Sequence, residues 1–365
     1  MSAPTLFVTR KFPPSVGGME TLASDVWATL SASGDGRDRL VAHGGSNARM
    51  PLWLPGALWR TARAVRSGQV GHVLVGDVLL YVLMRPLLVA LRVPHATMAM
   101  GKDVVWDQPV YRRVVRRVLP RAPRVLAISA ATAAGVVEAG GRPDRVAVVR
   151  LGVAMPSLTD QERAAAVAGL RARYDVPDDA LVALTLGRLV RRKGVPWFVA
   201  HVLPRTEGVV YLVAGAGPER EAVAAEVERH GLTGRVHLLG AVSDADRELL
   251  MRGADVFVQP NVRVAGDMEG FGLVAVEAAG RGALVVAADL EGLQDAVLPG
   301  ETGDLLPSAD ADAWVRALGA LRDDLPGTRE RAARYAANAR SAYARERMGR
   351  VLRAELGLGP ADASS

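Results

Sequence analysis

The 365-residue sequence contains no cysteine. That excludes disulfides, thiolate metal sites and a cysteine nucleophile, and it fits a reducing compartment. Aromatic residues make up only 5% of the chain, and the basic residues behind the net charge of +6 are scattered among acidic ones. With no RNA- or DNA-binding signature, a nucleic-acid partner is not expected. No apolar run is long enough to cross a bilayer: the longest, Val78 to Val93, is interrupted by Arg85-Pro86. The N-terminus lacks a signal-peptide layout, since Met1 to Thr9 reads as a short apolar strand ending in Arg10-Lys11. Together these absences predict a cytoplasmic protein. Lysine is scarce as well. Lys11, Lys102 and Lys193 are the only three among 45 basic side chains, and each falls in a loop that the chain order assigns to a ligand site. A compact, flexible ammonium is expected at those positions.

What is present is a long, well-packed α/β pattern. Half of the chain is apolar, and its length predicts two domains. Short strands alternate with helices, which argues parallel sheets covered on both faces. In the first half the expected strands are Thr5 to Thr9, Leu40 to Ala42, His72 to Val75, His95 to Met100, Arg124 to Ser129 and Val146 to Arg150, with a helix over Gly56 to Arg66 between the second and the third. Leu151 to Ser157 is the expected linker. The second half repeats the alternation from Leu181 to Leu306 and ends in helices over Ala311 to Leu321, Arg329 to Ala344 and Arg345 to Leu356, with a frayed tail from Gly357. The boundaries expected are 1–155 and 156–340 for two Rossmann-like domains, and 341–365 for a terminal helix and tail.

The segment Asp267-Met268-Glu269-Gly270-Phe271-Gly272-Leu273 through Glu277 sets two carboxylates eight positions apart around a glycine turn and an apolar helical run. Glu269 is expected to end a loop, Phe271-Gly272-Leu273 to open a helix, and Glu277 to lie about two turns inside it. A helix N-terminus presents free N–H groups to an anion. One Glu beside it and another on the helix suit a diphosphate carrying hydroxyls on both sides, as in a nucleotide-sugar. Arg188 and Lys193 supply a planar fork and a point charge for such a diphosphate. In the first half the Gly17-Gly18 turn, between a strand and a helix, allows close backbone approach. Gly101-Lys102-Asp103 is expected at the same mouth. Gly215-Ala216-Gly217 lacks the third glycine of a dinucleotide fingerprint and reads as tight strand–helix packing. Asp244-Ala245-Asp246 follows Ser243 at a helix N-cap rather than in a metal loop. The helix Tyr111 to Leu119 carries arginine pairs opposite valines. It reads as a surface helix with its apolar face on the sheet, the competing reading being an anionic-membrane contact.

These pieces resemble the retaining glycosyltransferases of the GT-B fold, in particular glycosyltransferase family 4. The resemblance lies in Gly187-Arg188-Leu189 with Lys193-Gly194, Gly215-Ala216-Gly217-Pro218-Glu219, the Glu269 to Glu277 pair, and Gly300-Glu301-Thr302-Gly303-Asp304-Leu305-Leu306. It covers about Leu181 to Leu321. The first half agrees more loosely, through Pro13-Pro14-Ser15-Val16-Gly17-Gly18-Met19-Glu20, Ala127-Ile128-Ser129 and Leu151-Gly152-Val153.

The resemblance implies two doubly wound parallel-sheet domains facing across a cleft and transfer of a sugar, with retention, from an NDP-sugar to an acceptor hydroxyl. It implies no cofactor and no metal. Arg188 and Lys193 would hold the leaving diphosphate, Glu277 the ribose, and Glu269 with Gly270, Phe271, Gly272 and Leu273 the sugar and nearby phosphate. Gly17 and Gly18 would approach the diphosphate, and Gly240 to Val242 the base. Lys11, Lys102 and Asp103 are placed on the acceptor or sugar side. Many members carry His-Gly-x-Asp where this chain has Met100-Gly101-Lys102-Asp103, and methionine can neither donate to a sugar hydroxyl nor carry a proton. The acceptor expected is a small natural product or a lipid-linked or cell-envelope precursor. Two other readings stay open: another GT-B enzyme, such as a sugar phosphorylase or nucleotide-sugar epimerase, and a non-enzymatic nucleotide-binding or membrane-docking protein.

Overall fold

The computed structural model describes residues 4–15, 17–33 and 36–358. Val16 of the first glycine loop and most of the tail beyond Gly357 lie outside the described residues. The chain divides into two units. The first comprises Met1–Ala154, Gly266–Phe271 and Tyr343–Ser365, and the second Met155–Ala265 and Gly272–Ala342. A division at 155 and 340 would miss the short Gly266–Phe271 segment, which groups with the first unit although it lies far along the chain.

The first unit is built on six parallel strands: β1 (Thr5–Thr9), β2 (Arg39–Ala42), β3 (His72–Val75), β4 (His95–Ala99), β5 (Val125–Ala127) and β6 (Val146–Val148), in the order β2-β1-β3-β4-β5-β6. β1, β4 and β5 are buried along their whole length, as their near-continuous apolar runs require of strands covered on both faces. Its helices are α1 (Gly18–Ser33), α2 (Met50–Arg66), α3 (Val78–Ala90), α4 (Lys102–Val105), α5 (Pro109–Val118) and α6 (Ala130–Glu138). α2 begins at Met50, earlier than the Gly56 expected, because Pro51 sits in its first turn, where a missing N–H costs nothing. α3 is one helix despite Pro86, capped by the Asp77 carboxylate accepting from Leu80 N. Right-handed crossovers put α2, α3, α5 and α6 on one face of this sheet and α1 on the other.

The second unit holds β7 (Leu181–Leu186), β8 (Val209–Ala214), β9 (Val236–Gly240), β10 (Val256–Gln259), β11 (Leu284–Ala288) and β12 (Asp304–Leu306), ordered β12-β11-β10-β7-β8-β9. Its helices are α7 (Asp160–Arg173), α8 (Val195–His201), α9 (Arg220–Arg229), α10 (Asp244–Gly253), α11 (Leu273–Gly280), α12 (Leu293–Ala296), α13 (Ala311–Asp323) and α14 (Leu325–Ala342). α7 opens with a capping box between Thr159 and Glu162. After α14 the chain enters α15 (Arg345–Glu355), which belongs to the first unit and packs on α1 through an Arg345–Asp25 ion pair. Both strand orders reverse direction once: between β1 and β3 in the first sheet, and between β7 and β10 in the second. In open α/β sheets the crevice at such a reversal, beyond the carboxyl ends of the strands, is the ligand position.

Candidate functional site

In the second unit the loops after β7, β8, β9 and β10 are interlocked through their backbones. Gly194 ends the β7 loop at φ +65°, and a Cβ there would overlap the Pro260 carbonyl of the β10 loop. Val262 N then donates to Arg192 O at 2.9 Å. Gly215 (φ +139°) and Gly217 leave room for the Gly187 and Leu189 carbonyls of the β7 loop. Leu189 N donates to Ala216 O at 3.0 Å, and Gly215 N to Gly240 O at 2.6 Å. The Gly215-Ala216-Gly217 turn thus packs loop on loop, where strand–helix packing was expected. The result is one backbone layer across the reversal, carrying exposed Arg188 and half-buried Lys193 at its β7 corner and half-buried Val242 beyond β9.

α11 follows Gly272, whose φ of +97° turns the chain into the helix. A Cβ there would press on Leu293 of α12 at 2.6 Å. The helix starts at Leu273, so Glu277 is its fifth residue and stands little more than one turn inside, closer to the N-terminus than the two turns expected. Its carboxylate is buried and takes a hydrogen bond from Arg247 Nη2 at 2.5 Å. Arg281 Nη2 donates to Glu248 Oε1 at 2.7 Å, with Glu248 next to Arg247 on α10. Burial raises the Glu248 carboxyl, but Arg281 and then Arg252 outweigh it and hold the group below its ordinary range. Sequence reading missed Arg247. Its only signal was a position one turn into a helix opened by Ser243, and nothing local ties it to a glutamate 30 residues on.

In the first unit Gly266–Phe271 lies against the loop after β4. Gly101 adopts φ +94°, and its Cβ would stand 2.8 Å from Gly270 Cα. A Cβ on Gly270 would overlap the Met100 carbonyl and meet Ile128 Cδ1 at 3.0 Å. Thr132 Oγ1 donates to Gly270 O at 3.4 Å and accepts from Ser129 Oγ at 2.9 Å. Two glycines back to back therefore let the Glu269 segment sit on the Met100-Gly101 turn. Glu269 is buried and Phe271 is buried against Tyr343, ring centroids 6.1 Å apart. Lys102 Nζ stands exposed, 3.7 Å from Asp267 Oδ1. Met100 is itself buried, an apolar plug beneath the turn.

Asp103 has a different job from the one expected. Its two oxygens accept from Met100 N at 2.8 Å and Val78 N at 2.9 Å, fastening the turn to the start of α3. Burial, and then the neighbouring Asp77, push its carboxyl up to about 7 against those hydrogen bonds and the nearby Arg10. Arg10 pairs with Asp77 at 2.9 Å beneath the β1–β3 reversal. Lys11 Nζ donates to Glu20 Oε1 at 3.1 Å. Gly18 is the first residue of α1, and a Cβ there meets nothing within 4 Å, so its backbone faces open space. A Cβ on Gly17 would touch only the movable Glu20 carboxylate, at 2.5 Å. α5 turns Val115 inward and Arg112, Arg113, Arg116 and Arg117 outward, the arrangement expected of a surface helix on the sheet.

Residues 169–341 match the family model described as glycosyl transferases group 1. The chain carries a glycosyl transferases group 1 domain. It makes up most of the second unit and includes the interlocked loops, Arg188, Lys193, Glu277 and Arg247. A phosphatidyl-myo-inositol mannosyltransferase of Mycolicibacterium smegmatis is 36% identical over 153 residues, covering 40% of this chain and 38% of that protein. A D-inositol 3-phosphate glycosyltransferase of Mycobacterium tuberculosis is 34% identical over 209 residues, covering 54% of this chain and 41% of that protein. The matched stretch thus spans about two fifths of each of these relatives. Among solved structures, Anabaena HepE in complex with UDP and glucose superposes with a TM-score of 0.75 at 19% identity, covering 97% of this chain and 99% of that one. The sucrose-phosphate synthase of Thermosynechococcus elongatus gives 0.73 at 19% identity, covering 97% and 98%. The group 1 domain and the six-stranded sheet of the first unit together make the two-domain GT-B fold.

Proposed function

We propose that this chain is a glycosyltransferase that moves a sugar from a nucleotide diphosphate to an acceptor hydroxyl, with retention of anomeric configuration and without a metal. The observation that carries the proposal is the backbone layer at the β7–β10 reversal, lying inside the matched group 1 domain and edged by Arg188 and Lys193. Relatives named as a mannosyltransferase and a glycosyltransferase support it, as do structural neighbours described with UDP, and with UDP and glucose.

In this reading Arg188 and Lys193 hold the diphosphate, and Glu277, oriented by Arg247, accepts from the ribose hydroxyls. Val242 lies by the base. Glu269, with Gly270 to Leu273, holds the sugar and the adjacent phosphate. The bond from the anomeric carbon to the phosphate oxygen breaks while the acceptor oxygen bonds to the same face. The departing phosphate oxygen takes the acceptor's proton. No protein nucleophile is required, and catalysis rests on stabilising charge as it develops on the leaving group. Lys11 and Lys102 remain on the acceptor or sugar side. Asp103 acts there through the turn it fastens, next to Lys102.

The test is a panel of uridine-, guanosine- and thymidine-linked sugars read by nucleotide release with and without candidate acceptors. Release from one donor class, stimulated by a hydroxylic acceptor, is expected. If no donor is turned over and no nucleoside diphosphate binds, the proposal falls.

A further inference from the structure

The helical layer on one face of the first sheet has an unusual outer surface. α3 packs between α2 and α5. It buries Val78, Leu80, Tyr81, Met84 and Leu88, which leaves Leu79, Leu83, Pro86, Leu87 and Ala90 on its outward side. That stripe holds no polar side chain. On one flank α2 presents Leu52, 84% exposed, and Trp59, 60% exposed, followed by Arg60, Arg63 and Arg66 on the same side. Arg63 lies over the Trp59 ring, 5.5 Å from its centroid. On the other flank α5 presents Val110, 74% exposed, and its four arginines, which line a groove of about 440 Å³. Arg112 pairs with Asp107, whereas Arg113, Arg116 and Arg117 make no ion pair among the described residues. From Arg49 to Arg124 the chain has thirteen Lys and Arg against three Asp and Glu, and two of those acids, Asp77 and Asp103, are buried.

An apolar stripe edged on both sides by arginines that outnumber the nearby acids Asp107 and Glu138 has few suitable partners. A second copy of this chain would bring two cationic faces together. A nucleic acid would match the charge but leave Leu52, Leu83, Trp59 and Val110 against a polyanion that offers them no apolar surface. A bilayer with anionic headgroups matches both features: acyl-chain boundary under the α3 stripe, headgroup phosphates against the arginines, and Trp59 at the level where indole rings settle. We propose that the α2–α3–α5 face docks flat on an anionic lipid surface. The Val78 to Ala90 helix, too short to span a membrane, lies along one. The inference does not depend on the reaction proposed above.

The experiment uses the full chain and vesicles of phosphatidylcholine, either pure or with roughly one third phosphatidylglycerol, a content at which each arginine near the surface is worth about a fivefold change in partitioning. Sedimentation with the anionic vesicles only, weakened by added salt, is expected. Arg113→Gln/Arg116→Gln/Arg117→Gln should lower partitioning by about a hundredfold, and Leu83→Glu or Trp59→Ser by about tenfold or more, with unchanged melting temperature and unchanged nucleotide release. The fluorescence difference between wild type and Trp59→Phe should shift to the blue on vesicles. Failure to sediment with anionic vesicles would overturn the proposal, as would equal binding to both vesicle types. So would displacement from vesicles by duplex DNA with the Leu83→Glu variant unaffected, or a dimer in light scattering that Leu83→Glu dissolves.

Discussion

Lys193 and Asp103 show how differently two residues marked by the same reasoning can behave. Lys193 sits at the corner of the interlocked loops, next to Gly194, and its proposed role is to meet negative charge on the leaving diphosphate. Lys193→Ala should therefore lower kcat by about a hundredfold or more, the usual cost of losing one preorganised contact to a developing charge. The fold should survive the change, read as a cooperative melt, because the loop's backbone keeps its own bonds, Val262 N to Arg192 O and Gly194 N to Arg191 O. Turnover near wild type would refute the role. Asp103 is held by two backbone N–H groups and raised to about 7 by burial and Asp77. An acid whose folded pKa lies above its unfolded value binds more protons folded than unfolded. Its contribution to stability is thus full below about pH 4 and is lost as the pH rises towards 7. Asp103→Asn cannot titrate, so its stability should fall less than that of wild type between pH 4 and 7, measured by urea unfolding across the range. Parallel curves would show that Asp103 carries no proton in that window. Spacing placed Asp103 in the right turn but could not reveal which way its oxygens faced, since both partners are backbone atoms fixed only by the fold.

Elements were more legible than contacts. Short apolar runs bounded by loop residues located nearly every strand, and the alternation with helices implied two parallel sheets, because these signals are local. Helix starts were displaced where a proline could be read either as a breaker or as a first-turn residue: Pro51 opens α2, which was expected only from Gly56. Leu273, not Phe271, starts α11, because Gly272 must first turn through positive φ. The Arg247–Glu277 pair and the Gly101–Gly270 contact were not legible, because each joins residues on separate elements. The glycine loops themselves give a firm prediction at this scale. In Gly194→Ala the methyl would overlap the Pro260 carbonyl on a backbone at φ +65°, and the left-handed conformation alone costs about 1–3 kcal/mol. The melting temperature should fall by at least about 5 °C, and nucleotide affinity should fall with it, because the β7 and β10 loops can no longer seat together. A variant as stable as wild type would mean that the loops are free to part.

At the scale of the molecule, charge and chain path separate two jobs. The thirteen-to-three excess of bases between Arg49 and Arg124 lies in the first unit, while the loops after β7 to β10, Arg188, Lys193, Arg247 and Glu277 all lie in the second. The chain interrupts the second unit once, where Gly266–Phe271 leaves to join the first unit carrying Glu269, and returns at Gly272 to begin α11. Composition averaged over the whole chain hid the first feature, and no local pattern could show the second. The path has a consequence for a fragment of residues 155–342. It keeps a complete six-stranded sheet, every interlocked loop and the Arg247–Glu277 pair, but Phe271 loses its Tyr343 partner and Gly270 loses the Met100-Gly101 turn. The segment bearing Glu269 therefore has nothing to rest on, whereas the proposed diphosphate and ribose contacts are intact. The fragment should bind whichever nucleoside diphosphate the full chain binds, within about tenfold by calorimetry, because contacts to the nucleotide stay and only those to the sugar are lost. It should release no nucleotide from the matching NDP-sugar. If the folded fragment binds no nucleotide at all, the diphosphate and ribose contacts do not belong to the second unit. If it turns the donor over at the full chain's rate, Glu269 has no part in the chemistry.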